Sequence, residues 1–415
     1  MFIHWGVYSV PARGEWYMNN GKVPVATYKA YAKDFTAAKY DPKAWVALAK
    51  EAGMKYVVLT AKHHDGFTLY DSAVSDWNAV KSSAAKRDLI QPLADAVRAE
   101  GLRFGLYYSQ SQDWTNLGGG TGRNEPWDEE QKKGNLDEYI AKIAVPQIHE
   151  ILDKYKPAYL FFDTEYSMTP ERARPIFDLT CNSPDLIINN RLGGGVLGDT
   201  GSPEQRIATD PLGRAFEVCM TINGSWGYNA SDMRYKSAQQ LIRNLSDITA
   251  KGGNYLLNVG PMPDGTILQP QIERLQAMGK WLNTNGEAIY GTDAGPFSIS
   301  KPPAWGRATQ KTKPTGGTTL YVHIWNWPAD GKLVLTGIQQ PALSSRMLAG
   351  GVAVSFAKSP EGLVLTLPGA APDPDVAVIA MEFAEPVRIA KTSGGSMQSE
   401  STGTPLDPSG GTAPK

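Results

Sequence analysis

The chain has 415 residues, and its 41 Lys and Arg residues nearly balance 42 Asp and Glu residues, for a formal net charge of −1. This balance gives no overall electrostatic field that would attract nucleic acid or an anionic membrane. The sequence also contains no run of 18 or more apolar residues, the length that a membrane-spanning helix needs. The length predicts two domains and a tail, and two cysteines, Cys181 and Cys219, are too few for a disulfide scaffold, so we expect both to be buried free thiols.

Short apolar runs that end in polar or aromatic residues recur along the chain. Residues 1–8, MFIHWGVY, place His4 within such a run, and residues 56–67, YVVLTAKHHDGF, end theirs on His63 and His64. We interpret these runs as strands, and the others span residues 104–109, 158–163, 186–191, 216–222 and 254–260. Helical spacing of apolar residues predicts helices at 89–100, 136–155, 169–179, 238–250 and 271–284.

The alternation of strands and helices over the first 290 or so residues predicts a parallel sheet. Functional groups at the carboxyl ends of buried parallel strands are typical of a (β/α)8 barrel. Seven strands are recognisable rather than eight, so we expect a (β/α)8-like barrel that is distorted or contains one further strand.

The pattern changes beyond residue 291, where short alternating strands with Gly and Pro turns replace the helical spacing. These strands, at 318–325, 332–335, 352–356, 362–367 and 377–383, predict a small antiparallel β-sandwich. We therefore expect a catalytic barrel over residues 1–294 and a C-terminal β-sandwich over 295–390. The Ser-, Gly-, Thr- and Pro-rich residues 391–415 predict a disordered tail.

Asp163 closes the strand AYLFFD, which leaves a carboxylate at the mouth of the predicted barrel. Such a residue is a candidate nucleophile, although it could equally cap the next helix. The hydrogen-bonding and ring side chains at other strand ends favour a site for a small polyhydroxylated ligand. They are His4, Glu15, Trp16, His63, His64, Tyr107, Arg191 and Trp226.

The adjacent histidines His63 and His64 suggest a metal site, but two observations disfavour it. Neighbouring residues on an extended chain point to opposite sides, and no H-x-x-x-H or C-x-x-C pattern accompanies the pair. We therefore predict no metal.

A retaining glycosidase would need a second carboxyl about 5–5.5 Å from the nucleophile. Glu204 lies in the segment GSPEQR on a long Gly-rich loop, and Glu217 begins the apolar strand FEVCMT. We favour Glu204 because an acid/base must reach the exposed leaving-group side, and Glu217 is retained as the alternative.

These segments together resemble the α-L-fucosidases of glycoside hydrolase family 29. The matching segments are MFIHWGVYSVPARGEWYMN, KYVVLTAKHHDGF, KRDLIQPLADAVRAEGLRFGLYYS, FFDTEY, INNR, SPEQRI, FEVCMTINGSWGYN, GGNYLLNVGPMPDG and NGEAIYGT. They occur in the family's order over nearly all of residues 1–294, and a β-sandwich follows in the family as well. Members usually have a helical segment before the first strand, so we expect that the part covering the bottom of the barrel is missing here.

The resemblance implies that Asp163 is the nucleophile. It also implies that fucose hydroxyls are bound by His4, Glu15, Trp16, His63, His64, Tyr107 and Arg191, with Trp226 as an aromatic residue that flanks the sugar. Tyr107 is preferred over its neighbour Tyr108 by loop length alone. The acid/base is not at a uniform position in the family, which leaves Glu204 with Glu217 as the alternative, and Thr164 stands where many members have Gly.

The resulting hypothesis is a retaining exo-α-L-fucosidase that releases terminal L-fucose from a fucosylated oligosaccharide or glycoconjugate by double displacement, with no cofactor. The alternatives are a non-catalytic fucose-binding protein on the same scaffold and a metal-dependent hydrolase that uses His4, His63, His64 and Asp163. A secreted or periplasmic location would imply that a signal peptide has been removed, because none precedes the first strand.

Overall fold

The computed structural model describes residues 1–119, 126–183, 185–314 and 316–390. The tail predicted for residues 391–415 therefore lies outside the described residues. Seven parallel strands form one sheet in the order β5-β4-β3-β2-β1-β7-β6. They are β1 (Phe2–Ile3), β2 (Tyr56–Lys62), β3 (Arg103–Ser109), β4 (Tyr159–Asp163), β5 (Ile187–Ile188), β6 (Glu217–Thr221) and β7 (Asn254–Val259).

The helices of this region lie mainly between the strands. They are α1 (Tyr17–Asn20), α2 (Val25–Lys29), α3 (Pro42–Glu51), α4 (Gln91–Ala99), α5 (Leu136–Tyr139), α6 (Val145–Tyr155), α7 (Pro170–Cys181), α8 (Ala238–Ala250) and α9 (Gln269–Asn285). The helix predicted over 136–155 is interrupted by a π-helical turn at Ile140–Ala144. Helix α3 was not predicted, although Asp41 caps it by accepting hydrogen bonds from two backbone N–H groups and Pro42 starts its first turn.

Both faces of the strands are buried, which is why they read as continuous apolar runs. One set of side chains fills the interior of the barrel and comprises Phe2, Val58, Tyr107, Tyr159, Phe161, Cys219 and Leu256. The alternate residues, such as Leu59 and Leu106, belong to the large core shared with the helices. The largely aromatic interior closes the barrel beneath the carboxyl ends of the strands.

Residues 199–205 fill the gap between the two edge strands of the sheet. Isolated parallel bridges join Thr200 to Asn189 after β5, and Gly201 and Glu204 to residues 216 and 219 on the other side. Backbone hydrogen bonds of 2.8–3.1 Å alternate along this contact with β6. The predicted (β/α)8-like barrel is thus confirmed, with this irregular stretch, the closing segment, in the place of an eighth strand.

The C-terminal region contains two antiparallel sheets, with orders β12-β15-β10-β9-β8 and β11-β14-β13. Their strands are β8 (Asp293–Ala294), β9 (Gly306–Thr312), β10 (Thr318–Ile324), β11 (Lys332–Thr336), β12 (Ala342–Met347), β13 (Ser355–Ser359), β14 (Gly362–Thr366) and β15 (Ala377–Phe383). The largely polar strands β9 and β12 were not predicted. A separate apolar core lies between the sheets, and Arg307 on β9 pairs with Asp247 on α8 at 2.6 Å, which joins the two regions.

Two further expectations can be compared with the structure. Cys219 is a buried free thiol as expected, but Cys181 is exposed, because it is the last residue of α7 and lies where that helix meets solvent. Of the helices in the described ranges, none has the length and apolar character required to cross a membrane.

Candidate active site

Asp163, the last residue of β4, lies at the carboxyl end of the barrel strands with its side chain 20% exposed. Its Oδ1 accepts hydrogen bonds from Arg191 Nη1 at 3.0 Å and from the Thr164 backbone N–H at 2.9 Å. Its Oδ2 accepts the Tyr107 hydroxyl at 2.8 Å and lies 3.7 Å from His64 Nε2. The carboxylate is therefore held from three sides.

The surroundings of Asp163 also set its charge. Burial acts to raise its pKa, but the Arg191 guanidinium, His64 and the Tyr107 hydroxyl outweigh burial and leave the pKa below its ordinary value. An ionised, oriented carboxylate is what nucleophilic attack on a sugar carbon requires.

Arg191 reaches this carboxylate because β5 ends early. The side-chain amide of Asn189 takes over the pairing with β4, accepting from the Phe162 N–H and donating to the Phe162 carbonyl, both at 2.9 Å. The backbone then turns, and Arg191 Nη1 contacts both Asp163 Oδ1 at 3.0 Å and Glu204 Oε2 at 2.9 Å. Because Asp163 Oδ1 and Glu204 Oε2 both contact the same nitrogen, these two oxygens are no more than about 6 Å apart. This limit is compatible with the separation of about 5–5.5 Å between the two carboxyls of retaining glycosidases.

Glu204 lies on the closing segment, with its side chain 41% exposed. The segment is fixed by Ser202, whose backbone carbonyl accepts from Arg191 Nη2 at 2.8 Å. A half-exposed carboxyl beside a less exposed one is suited to exchanging protons with a leaving group and with water.

Three buried histidines line the same cavity. His64 Nδ1 bonds to Ser109 Oγ at 2.7 Å, His4 Nδ1 bonds to Asn258 Oδ1 at 2.7 Å, and the His63 ring stacks on Tyr107. Burial lowers the pKa of all three, to about 3 for His4 and about 4 for His64. Near neutral pH these imidazoles are uncharged, and because Nδ1 of His4 and of His64 is already bonded, Nε2 is the nitrogen that each of these two rings can offer to a sugar hydroxyl.

Aromatic rings complete the walls. Trp16 packs edge-on against His64 with ring centroids 5.0 Å apart, and Trp226 lies 5.0 Å from the His4 ring. Glu15 is buried behind the rings that line the cavity, where its Oε2 accepts a hydrogen bond from the backbone N–H of Gly227 at 2.7 Å. Burial raises the pKa of Glu15, and this backbone bond opposes the effect only in part.

The cavity has a volume of about 360 Å³, within the range of small-molecule sites. Nine of the residues predicted from the sequence line it. They are His4, Trp16, His63, His64, Tyr107, Asp163, Arg191, Glu204 and Trp226. Tyr108 points away, its hydroxyl bonded to Gln147 on α6 at 2.8 Å.

Glu217 lies at the opposite end of the barrel. It is the first residue of β6 and is 4% exposed, and it accepts hydrogen bonds from the hydroxyls of Tyr56 and Tyr159, the first residues of β2 and β4. Burial raises its pKa to about 7. The structure therefore does not bring Glu217 to Asp163.

Several supporting residues were not singled out from the sequence. Gln110 ties two strand ends together, since its Oε1 accepts from the Asp163 N–H at 3.0 Å and its Nε2 donates to the Arg191 carbonyl at 2.8 Å. Ser109 and Asn258 bond directly to His64 and His4, and Asn189, two residues before Arg191, bonds to the backbone of Phe162. Ser109, Asn189 and Asn258 occur within recognised segments and Gln110 directly follows one, but a polar residue at a strand end gives no signal of which neighbour it will bind.

A buried ion pair supports the histidines from behind. Lys62 Nζ lies 3.1 Å from Asp113 Oδ2, and both side chains are fully buried. Asp113 begins a turn in which the Trp114 N–H donates to the His64 carbonyl at 2.7 Å. Among the described residues, no group of three or more His, Cys, Asp or Glu side chains is arranged to hold a metal ion.

A (β/α)8-like barrel that gathers two carboxyls, three neutral imidazoles and indole rings around one cavity has the features of a glycoside hydrolase. Residues 1–287 match the model of the family described as alpha-L-fucosidase. The chain belongs to the α-L-fucosidase family, which confirms the resemblance seen in the sequence, and it is an enzyme of the glycoside hydrolase class.

Individual relatives agree with this assignment. Tissue alpha-L-fucosidase of Rattus norvegicus is 33% identical over 411 residues, covering 89% of this chain and 84% of the relative. The structure of alpha-L-fucosidase isoenzyme 1 from Paenibacillus thiaminolyticus has a TM-score of 0.82 and 38% identity, covering 92% of this chain and 96% of that one. The Thermotoga maritima alpha-fucosidase in complex with fucose has a TM-score of 0.76 and 32% identity, covering 92% and 94%.

Proposed function

We propose that the protein is a retaining exo-α-L-fucosidase that releases terminal L-fucose from fucosylated oligosaccharides or glycoconjugates. The observation that carries this proposal is the single guanidinium nitrogen of Arg191 that contacts both Asp163 and Glu204. The related Thermotoga maritima protein is in complex with fucose, which supports fucose as the sugar.

In this proposal Asp163 attacks the anomeric carbon and the bond to the leaving oxygen breaks. Glu204 gives that oxygen a proton, and a glycosyl ester on Asp163 remains. Glu204 then takes a proton from water, the water oxygen attacks the anomeric carbon, and the ester bond to Asp163 breaks. Two inversions leave the configuration retained.

The binding roles follow from the cavity walls. His4, His63, His64, Tyr107 and Arg191 would bind the sugar hydroxyls, and Trp16 and Trp226 would provide apolar surface for the ring and methyl group. Glu15 would act from behind by fixing the backbone that carries Trp226. The buried rings Phe2 and Phe161 close the floor of the cavity, which favours entry of a terminal sugar and hence exo action.

The test is hydrolysis of 4-nitrophenyl α-L-fucoside by the wild type, Asp163→Ala, Glu204→Ala and Glu217→Gln. We expect Asp163→Ala to lose about 10³-fold or more in kcat, with added azide restoring turnover as β-fucosyl azide. Glu204→Ala should give α-fucosyl azide, and Glu217→Gln should turn over without azide.

An active Asp163→Ala variant would refute the nucleophile, and α-fucosyl azide from the Glu217 variant alone would refute Glu204. The alternative of a non-catalytic fucose-binding protein is disfavoured by the paired carboxyls. It would be supported if the wild type bound fucose in calorimetry without any turnover.

A further inference from the structure

His4 lies between the interior of the barrel and the cavity. Its backbone N–H donates to the Val259 carbonyl at 3.1 Å, which places it beside Asn258 on β7. Its ring packs on Phe2 and Trp226, with ring centroids 4.5 and 5.0 Å away. His4 is only 3% exposed and yet lines the cavity. The imidazole is thus fixed in place with part of its ring at the cavity wall.

A backbone carbonyl sets the orientation of the Asn258 amide. Asn258 Nδ2 donates to the Trp226 carbonyl at 2.7 Å, and a carbonyl oxygen can only accept. The amide nitrogen must therefore face Trp226, which leaves Oδ1 toward His4, 2.7 Å from its Nδ1. In the reverse orientation two carbonyl oxygens would face each other, so the amide is held in one orientation.

The amide orientation in turn fixes the tautomer of His4. Asn258 Oδ1 has no proton to donate, so the proton in its contact with His4 belongs to Nδ1. A neutral imidazole carries a single N–H, and burial keeps His4 neutral near neutral pH by lowering its pKa to about 3. Nε2 therefore carries a lone pair and no proton, and it makes no hydrogen bond within the described residues.

The other two histidines of the cavity are not fixed in this way. Ser109 Oγ lies 2.7 Å from His64 Nδ1 and 2.8 Å from the Gln112 carbonyl. A hydroxyl rotates and can donate to either group, so Ser109 permits both tautomers of His64. The buried His63 Nδ1 has no hydrogen-bond partner among the described residues. Of the three rings, His4 is the one whose hydrogen-bonding role is set by its neighbours.

We propose that Asn258 fixes His4 as a hydrogen-bond acceptor, so that the cavity takes only a sugar with a free, proton-donating hydroxyl at this point. The inference rests on the proposed function and narrows its substrate. A fucose whose hydroxyl there is methylated, acylated or sulfated has no proton to donate and leaves Nε2 unpaired, which costs binding. Asn258 is 0% exposed and acts through His4, so it is a positioning residue.

The first measurement needs no ligand. In a two-bond ¹⁵N–¹H NMR spectrum of the protein with ¹⁵N-labelled histidine, near neutral pH, His4 should show a protonated Nδ1 and a bare Nε2. The signals of His4 are those that disappear in His4→Gln. Asn258→Leu removes the acceptor, so the proton should move to Nε2, because Nδ1 would otherwise keep an unpaired buried N–H.

Asn258→Asp is the matched control for this measurement. It keeps an acceptor oxygen beside Nδ1, so His4 should keep a protonated Nδ1, which a general disturbance of the site would not predict. A bare Nδ1 in the wild type would overturn the inference. An unchanged tautomer in Asn258→Leu would overturn the role of Asn258.

The second measurement tests the consequence for sugar binding. Calorimetry compares L-fucose with analogues in which one hydroxyl is replaced by hydrogen or by fluorine, which can accept a hydrogen bond but cannot donate one. At one position the fluorine analogue should bind the wild type no better than the deoxy analogue, and about 10-fold or more weaker than L-fucose. In Asn258→Leu the fluorine analogue should gain about 3-fold or more over the deoxy analogue at that position, because Nε2 then donates.

Fluorine analogues that all bind the wild type better than the matching deoxy analogues would contradict the requirement for a donor. Failure of the wild type to bind L-fucose would refute the proposed function instead, and the NMR spectrum, which needs no sugar, would still decide the tautomer of His4.

Discussion

The two ends of the barrel each contain a carboxyl that accepts a hydrogen bond from at least one tyrosine hydroxyl, yet the pKa values of the two carboxyls are shifted in opposite directions. Asp163 at the carboxyl ends of the strands has a lowered pKa, whereas burial raises the pKa of Glu217 at the other end to about 7. The largest difference is the position of Arg191, which pairs directly with Asp163 at 3.0 Å, whereas it and the N-terminal amine lower the pKa of Glu217 less than the Tyr56 and Tyr159 hydroxyls do.

Two tyrosine hydroxyls and more weakly acting cations do not offset the burial of Glu217, whereas a guanidinium in direct contact, together with His64 and Tyr107, offsets the burial of Asp163. The two carboxyls also have different roles. At the carboxyl ends of the strands, Asp163 stays ionised and can act as the nucleophile. At the bottom, Glu217 joins β6 to Tyr56 of β2 and Tyr159 of β4, alternate strands whose side chains share a layer of the interior.

The largest expected effect on the difference between the two carboxyls comes from removing the guanidinium of Arg191. In Arg191→Met, burial of Asp163 is no longer opposed by a cation, so its pKa rises. Because attack needs the ionised form, we expect kcat to fall about 10²–10³-fold and the acid limb of kcat/KM to move to higher pH. Initial rates on 4-nitrophenyl α-L-fucoside from about pH 4 to 9 measure both effects.

A purely structural role for Arg191 predicts a different result. The rate would fall equally at every pH and the acid limb would not move. Circular dichroism of the variant shows whether the fold is retained.

Substitution of Glu217, at the other end of the barrel, should change the stability of the protein rather than its catalytic rate. The pKa of Glu217 in the folded protein, about 7, exceeds the ordinary value of about 4.3. Its contribution to stability is therefore fully present below about pH 4 and is lost as the pH rises through about 7. Relative to the wild type, Glu217→Gln should gain about 1–3 kcal/mol in free energy of unfolding between pH 5 and 8.

Urea unfolding of the wild type and Glu217→Gln at about pH 5 and about pH 8 measures this difference in free energy of unfolding. Glu385→Gln, which removes an exposed carboxyl after β15, is the matched control and should show no such trend. An equal pH dependence in wild type and Glu217→Gln would mean that Glu217 does not titrate in this range.

A matched pair of tyrosine variants gives the smallest expected effects. Tyr107→Phe removes one hydrogen bond to Asp163 and should lower kcat about 10–100-fold, because a hydrogen bond to a charged group is worth about 1.5–3 kcal/mol. Tyr56→Phe removes one from Glu217 and should cost about 1 kcal/mol of stability with little change in kcat. Parallel rate and unfolding measurements on both variants check this, and a loss of kcat in Tyr56→Phe would contradict the separation of the two ends.

The barrel was predictable because its strands are buried on both faces and appear in the sequence as uninterrupted apolar runs. The prediction failed where burial is one-sided or absent, as in the polar strands β9 and β12. It also missed the closing segment as a barrel member, because Gly201 and Pro203 interrupt it and isolated bridges leave no periodic pattern.

The candidate site was predictable to the extent that residues at the carboxyl ends of parallel strands must share one end of the barrel. Glu217 shows where this reasoning could have gone further, since the first residue of a strand lies at the opposite end. The partners Gln110 and Asn189 could not be found, because their roles depend on the spacing between strands rather than on the sequence around them.

The closing segment gives the barrel a seam. Elsewhere the strands share ladders of backbone hydrogen bonds, but between β5 and β6 the circle is completed by a few bridges at residues 200, 201 and 204. Local opening costs least where such bonds are fewest. Amide hydrogens of Gly201, Gln205 and Cys219 should therefore exchange with deuterium before those of β2 and β3. A ligand that contacts both Asp163 and Glu204 should slow that exchange, because it links the closing segment to β4.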